Sequence, residues 1–167
     1  FVSFSNLGFT TTKKGKLESY IDALDNALKI IGDIPPIRWG TRVFSLIPSN
    51  KRFPTLVEEY RTKVLKFNPN QFTNLGADLI DLGVSYVFNK DHNSYHITSG
   101  PMRKEQAKEY FESKNLPKNG IMVDLDIYRK DKQFYGADYR KSRILDFVKN
   151  AYKESDSIIE NFIEEIK

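Results

Sequence analysis

Gly120-Ile121-Met122-Val123-Asp124-Leu125-Asp126-Ile127-Tyr128-Arg129 is the stretch whose reading decides the fold. Successive side chains of a strand face opposite ways, so Val123, Leu125 and Ile127 are expected to enter a core. Asp124 and Asp126 then share the other face. Two carboxylates on one strand face have two chemical readings. They form a metal-binding or acid–base pair, or they are one half of a charge ladder to a neighbouring strand.

Working outward, Asp138 is a reasonable N-cap for a long helix that runs to the chain end. Ile144, Val148, Ala151, Ile158, Phe162 and Ile166 make its apolar stripe, close to a heptad spacing. At ~1.5 Å per residue such a helix is ~45 Å long, more than a small sheet needs, so self-association through it is a further expectation. Upstream, Pro117 to Gly120 turns the chain into the acidic strand, and Met102 to Lys114 has helical composition. Val84–Phe88 and Ser94–Thr98 read as a hairpin closed by Asn89-Lys90-Asp91-His92-Asn93. Thr55 to Lys66 reads as a short helix, Phe72 to Leu82 is ambiguous, and Ile37 to Ile47 reads as a strand. In that strand Trp39, Thr41 and Val43 share one face, and Arg38, Arg42 and Phe44 the other. Leu17, Ile21, Leu24, Leu28 and Ile31 recur at helical spacing, ended by Gly32 and Pro35-Pro36. Val2 to Thr10 is strand-prone.

These elements define an α+β fold: one mixed or antiparallel sheet of about four to five strands, helices packed on one face, and a long C-terminal helix. The 167 residues fit a single domain spanning 1–167, which should bury roughly 70% of its unfolded surface. Because the chain opens at Phe1 inside a strand-like run, a further N-terminal segment is expected to precede it.

Cysteine is absent, which excludes disulfides and thiolate metal sites and suits a cytoplasmic protein. No apolar run approaches the ~20 residues that span a bilayer, so no membrane partner is expected. The net charge of +4 balances 26 basic against 22 acidic residues. Its distribution is more informative than its size. Basic residues cluster around 129–143, and acids gather in the last helix at Glu154, Asp156, Glu160, Glu164 and Glu165.

Few catalytic motifs survive inspection. His92 and His96 fall in the hairpin turn and its second strand, where their spacing loses the shared face it would have on a helix. No nucleophile elbow, phosphate-binding loop or dinucleotide-binding glycine pattern occurs, and no cofactor or metal is expected. Asp124 and Asp126 could hold Mg²⁺ through hard oxygens, as in nuclease-like enzymes. The third acid such a site wants has only Asp78, Asp81 and Glu105 as candidates, with no identifying spacing. The alternative pairs these acids with Arg38 and Arg42, giving a structural ladder worth ~0.2–1 kcal/mol per cross-strand pair. The best binding surface is basic and aromatic: Arg129, Lys130, Lys132, Tyr135, Tyr139, Arg140, Lys141 and Arg143. Its cations suit phosphates and its rings suit exposed bases. Cations in the first turn of a helix also oppose its macrodipole, as residues serving a partner would.

Arg38-Trp39-Gly40-Thr41-Arg42-Val43-Phe44-Ser45-Leu46-Ile47 resembles the arginine-glycine-arginine strand of a sporadically distributed prokaryotic family of unknown function. Val123-Asp124-Leu125-Asp126-Ile127-Tyr128 before a long helix is similar to that family's closing region, and Val2 to Phe9 suits its opening strand. Ser45 stands where that family's strand carries an asparagine. The resemblance implies an α+β fold with no activity, ligand or catalytic residue attached. It also implies the patchy distribution typical of defence or mobile-element genes.

The expected function is therefore a non-enzymatic binding or interaction module of a prokaryotic cytoplasm, with a protein as its partner. A nucleic-acid-binding protein using residues 128–143 is the alternative, and a Mg²⁺-dependent nuclease-like enzyme using Asp124 and Asp126 is the third reading.

Overall fold

A computed structural model describes residues 17–31, 38–65, 79–130 and 137–166. Its elements are α1 (Leu17–Ile31), β1 (Trp39–Ser49), α2 (Phe53–Tyr60), β2 (Val84–Lys90), β3 (Asn93–Arg103), α3 (Lys104–Ala107), β4 (Asn119–Arg129) and α4 (Ala137–Ile166). The four strands form one antiparallel sheet in the order β1-β4-β3-β2, with helices that include the C-terminal one. The class is α+β.

Packing divides the chain into two compact units, 1–39 with 130–150 and 40–129 with 151–167. In the first, Ile144 and Phe147 of α4 are buried, and the Trp39 ring lies 4.4 Å from that of Phe147, tilted by 59°. On α1, Lys29 pairs with Asp25 one turn earlier at 3.0 Å.

The sheet belongs to the second unit and is organised by β4. Ile121, Val123, Leu125 and Ile127 are at most 1% exposed. Opposite them on β3 stand Pro101, Ser99, Ile97 and Tyr95. Helix α2 covers this face with Phe53, Leu56, Val57 and Tyr60, all buried and spaced at i, i+3, i+4 and i+7. Leu56 and Tyr60 pack on Ile121, flanked by Ile47, Val64, Leu82 and Val84. Pro54 pre-sets the first turn of α2, so the helix begins two residues before the expected Thr55. It passes at Arg61–Leu65 into a π-helical turn. Ala151 and Ser155 of α4 are also buried. The Ser155 hydroxyl is satisfied by the Ala151 carbonyl at 2.6 Å, which lets a polar side chain occupy a core position.

Further expectations need correction. The hairpin loop contains two residues, because pairing continues through Asn89↔Ser94 to Lys90↔Asn93. Asp91 takes the left-handed conformation (φ 56°) that makes so tight a turn possible. The helix expected from Met102 to Lys114 shrinks to Lys104–Ala107, since Pro101 and Met102 pair with Ile121 and Gly120 and remain in β3. The Arg103 N–H donates to the Gln106 side chain at 2.8 Å, starting the turn. The Tyr110 and Phe111 N–H groups both donate to the Ala107 carbonyl, ending it. This short element packs on the opposite face from α2, where Ala107 joins Met102, Met122, Leu46, Phe111 and Leu116. Helices therefore lie on both faces at that end of the sheet. Finally, α4 begins at Ala137, one residue before the expected cap Asp138. The Val2–Thr10 strand and most of the 72–82 stretch lie outside the described residues.

Gly100 allows the chain before β2 to cross β3. A Cβ there would stand 2.7 Å from the Leu82 carbonyl oxygen and 3.1 Å from the Gly83 Cα. At Gly83 a Cβ would meet nothing nearer than 3.6 Å. Gly100→Ala is expected to cost about 1–3 kcal/mol in urea unfolding, and Gly83→Ala well under that.

The Tyr60 hydroxyl lies near that of Ser99 without closing a hydrogen bond. Burial pushes its pKa up to about 12, offset in part by Ser99. An unfolded tyrosine ionises near 10, so between pH 10 and 12 the unfolded chain loses a proton that the folded chain keeps, and stability falls as pH rises. That difference corresponds to about 2–3 kcal/mol lost across the window. Tyr60→Phe is expected to leave stability at pH 7 nearly unchanged and to flatten the alkaline decline, measured as urea midpoint against pH.

Candidate functional site

The outer face of the sheet, opposite α2, carries the acid pair. Strand alternation puts Asp124 and Asp126 here, both half-buried. The antiparallel register sets Thr98 directly across from Asp124 and His96 across from Asp126. From β1, Arg42 reaches Asp124 with both arms of its guanidinium: Nε donates to Oδ1 at 2.8 Å and a terminal nitrogen donates to Oδ2 at 2.7 Å. The Asp124 side chain is 12% exposed and that of Arg42 56%. Charge-assisted bidentate geometry of this kind fixes both groups. The hydrogen bond to Asp124 raises the Arg42 pKa above its ordinary value, and the nearby Asp126 charge adds to the effect. Burial opposes it. The guanidinium also stands 4.8 Å over the Phe44 ring, which in turn packs on Tyr110 at 5.6 Å.

Asp124 thus has both oxygens engaged by a cation of its own chain. Among the described residues no three His, Asp or Glu side chains are placed to hold a metal ion. Of the candidate third acids, Asp81 accepts the Leu82 N–H at 2.8 Å and lies 3.8 Å from Arg103. Glu105 is exposed in α3, and Asp78 lies outside the described residues.

Sequence reasoning missed Ser85. From β2 its hydroxyl shares a 2.8 Å hydrogen bond with Nε2 of His96, so serine, histidine and Asp126 stand on three consecutive strands. Pairing Val87 with His96 puts Ser85 on the histidine's face, which strand parity alone could have revealed once the loop length was known. Both Ser85 and His96 are exposed, whereas activation of a serine nucleophile works in a water-excluded, preorganised setting. His92 sits exposed in the turn.

The basic and aromatic residues are placed as follows. Tyr128 lies against β1, its Cβ 2.8 Å from where a Cβ on Gly40 would stand. The Arg129 Nε donates to the Asn93 side chain at 3.1 Å. Lys130 and Arg143 are exposed. Tyr139, Arg140 and Lys141 fall in the opening turns of α4. Lys132 and Tyr135 lie outside the described residues. Arg38 is exposed just before β1.

A second feature lies at the sheet edge. Strand β2 is the last in the strand order, and Tyr86, Val87 and Phe88 are 40%, 67% and 41% exposed. Leu79 and Ile80, which precede it, are 41% and 76% exposed. The remaining exposed large apolar side chains among the described residues are Ile30 and Tyr110. Such residues are thus concentrated in one stretch of ten positions. Across the hairpin Phe88 stacks on Tyr95 at 4.7 Å. Tyr95 donates to Glu154 at 2.5 Å, and Lys90 pairs with the same carboxylate at 3.1 Å.

The chain matches no known protein family, no characterised protein and no solved structure. No helix among the described residues is long and apolar enough to cross a membrane.

Removing either member of the Arg42–Asp124 pair should be felt in stability. Arg42→Met and Asp124→Asn are each expected to cost about 1 kcal/mol in urea unfolding. The double variant should cost less than their sum by about 0.5–1 kcal/mol, the coupling shrinking as salt is added.

Proposed function

We propose that this protein is a non-enzymatic interaction module that receives an extended protein segment along the outer edge of β2. The observation that carries this reading is the exposure of Tyr86, Val87 and Phe88 on a terminal strand, with Leu79 and Ile80 exposed in the chain just before it. A terminal strand presents unpaired backbone donors and acceptors, to which an added strand binds with main-chain hydrogen bonds while alternate side chains set specificity. An exposed apolar run on such a strand is a docking feature or an aggregation hazard.

The engagement of Asp124 by Arg42 supports a structural role for the outer-face acids. Cysteine-free composition suits a cytoplasmic setting.

Selection of random peptides displayed on phage tests the proposal. The expected enrichment is for peptides that alternate β-branched or aromatic with polar residues, and Val87→Pro should abolish their binding without changing the circular dichroism of the fold. Peptides without that alternation, or unaffected by the variant, would overturn it. Oligonucleotide binding that weakens steeply with salt and persists in the variant would replace it with the nucleic-acid reading.

A further inference from the structure

We infer that the segment received by β2 is β2 of a second copy of this chain, paired antiparallel about Val87. This inference rests on the reading of the edge as a docking surface and names its occupant.

The backbone sets the phase. A two-residue turn closes on Lys90 and Asn93, and the pair closing such a turn exchanges its hydrogen bonds inward. Alternation then leaves the N–H and C=O groups of Ser85, Val87 and Asn89 directed outward. These three positions are symmetric about Val87. A two-fold axis there pairs Val87 with its own copy and Ser85 with Asn89, giving about six backbone hydrogen bonds. Tyr86 and Phe88 fall opposite one another in the intervening, closer-spaced positions. Every pair is like with like: polar with polar, apolar with apolar, aromatic with aromatic.

Charge selects the direction. Residues 84–89 carry no formal charge, and Lys90 is the strand's single ionised side chain. In-register parallel pairing would set the two lysines ~5 Å apart, whereas antiparallel pairing separates them by roughly 20 Å, six residues at ~3.3 Å each. Antiparallel pairing of identical strands also closes as an isologous dimer. Devices that normally block such pairing are missing from this strand. Its ladder to β3 runs unbroken from Val84↔Ser99 to Lys90↔Asn93 without a bulge. It contains no proline. Glu154 partners its one lysine at 3.1 Å. The product is a continuous sheet of two four-stranded halves.

Sedimentation equilibrium of the purified chain over a wide concentration range tests this. The weight-average mass is expected to rise from 19.4 kDa toward twice that value. Val87→Lys, which sets two ammonium groups against each other at the axis, should hold the mass at that of one chain with an unchanged circular dichroism spectrum. Because the chain is cysteine-free, Val87→Cys should form a disulfide-linked dimer on mild oxidation, and Tyr110→Cys should not. A chain that stays monomeric at every concentration, or a dimer that survives Val87→Lys, would overturn the inference. If the monomer nevertheless selects β-alternating peptides through Val87, the docking edge stands and only its occupant is wrong. If it selects none, both readings fail.

Discussion

Strand β4 must have both edges hydrogen-bonded, and much of the second unit follows from that requirement. Between Asn119 and Val123 every residue is buried, so the backbone polar groups there have no access to water. Each one left unpaired would cost about 1–3 kcal/mol. Strands β1 and β3 meet the demand from either side. Close approach follows: a Cβ on Gly120 would stand 2.7 Å from the Ile47 carbonyl oxygen. The Asn119 side chain adds to the same closure by donating to the Lys51 carbonyl at 2.9 Å, tying the start of β4 to the loop after β1. With β4 fixed, the residue parity of the whole sheet is fixed, because a slip of one residue would turn Leu125 and Ile127 outward and both aspartates into the core.

The acids on the outer face are a consequence of that parity, and Arg42 makes them tolerable. A carboxylate that is 12% exposed has lost most of its hydration and needs donors in return. Two N–H groups from one guanidinium supply them, one to each carboxylate oxygen. The stem of Arg42 brings packing as well, since the same guanidinium stands over Phe44, whose ring touches Tyr110. A free ion would offer the charge without the ring contacts.

How much of this could be read from residues alone depended on whether neighbours in sequence or neighbours in space decided the outcome. The first helix, the four described strands and the C-terminal helix announce themselves through apolar periodicity, which is a local signal. Met102 to Lys114 shows the limit. Its composition favours a helix, but Met102 is drawn into β3 by pairing with Gly120, and a contact of that span leaves no local trace. The hairpin loop was overestimated because Asn89 and Lys90 look like turn residues, yet the left-handed Asp91 alone suffices for a two-residue connection. The same error hid Ser85, whose place beside His96 depends on that register. The exposed edge is harder still, since a strand-forming run such as Val84–Phe88 does not say which of its neighbours it lacks. Only the strand order places it at a boundary.

That boundary is tied to the interior through one carboxylate. Glu154, on the second half of α4, accepts from Tyr95 on the core face of β3 and pairs with Lys90 at the end of β2. The stack of Phe88 on Tyr95 joins the same group. Burial raises the Tyr95 pKa most, and the Glu154 contact adds to it. Natural edges commonly discourage pairing with an outward lysine. Here the lysine is turned onto the protein's own helix, and the strand it would guard is left apolar.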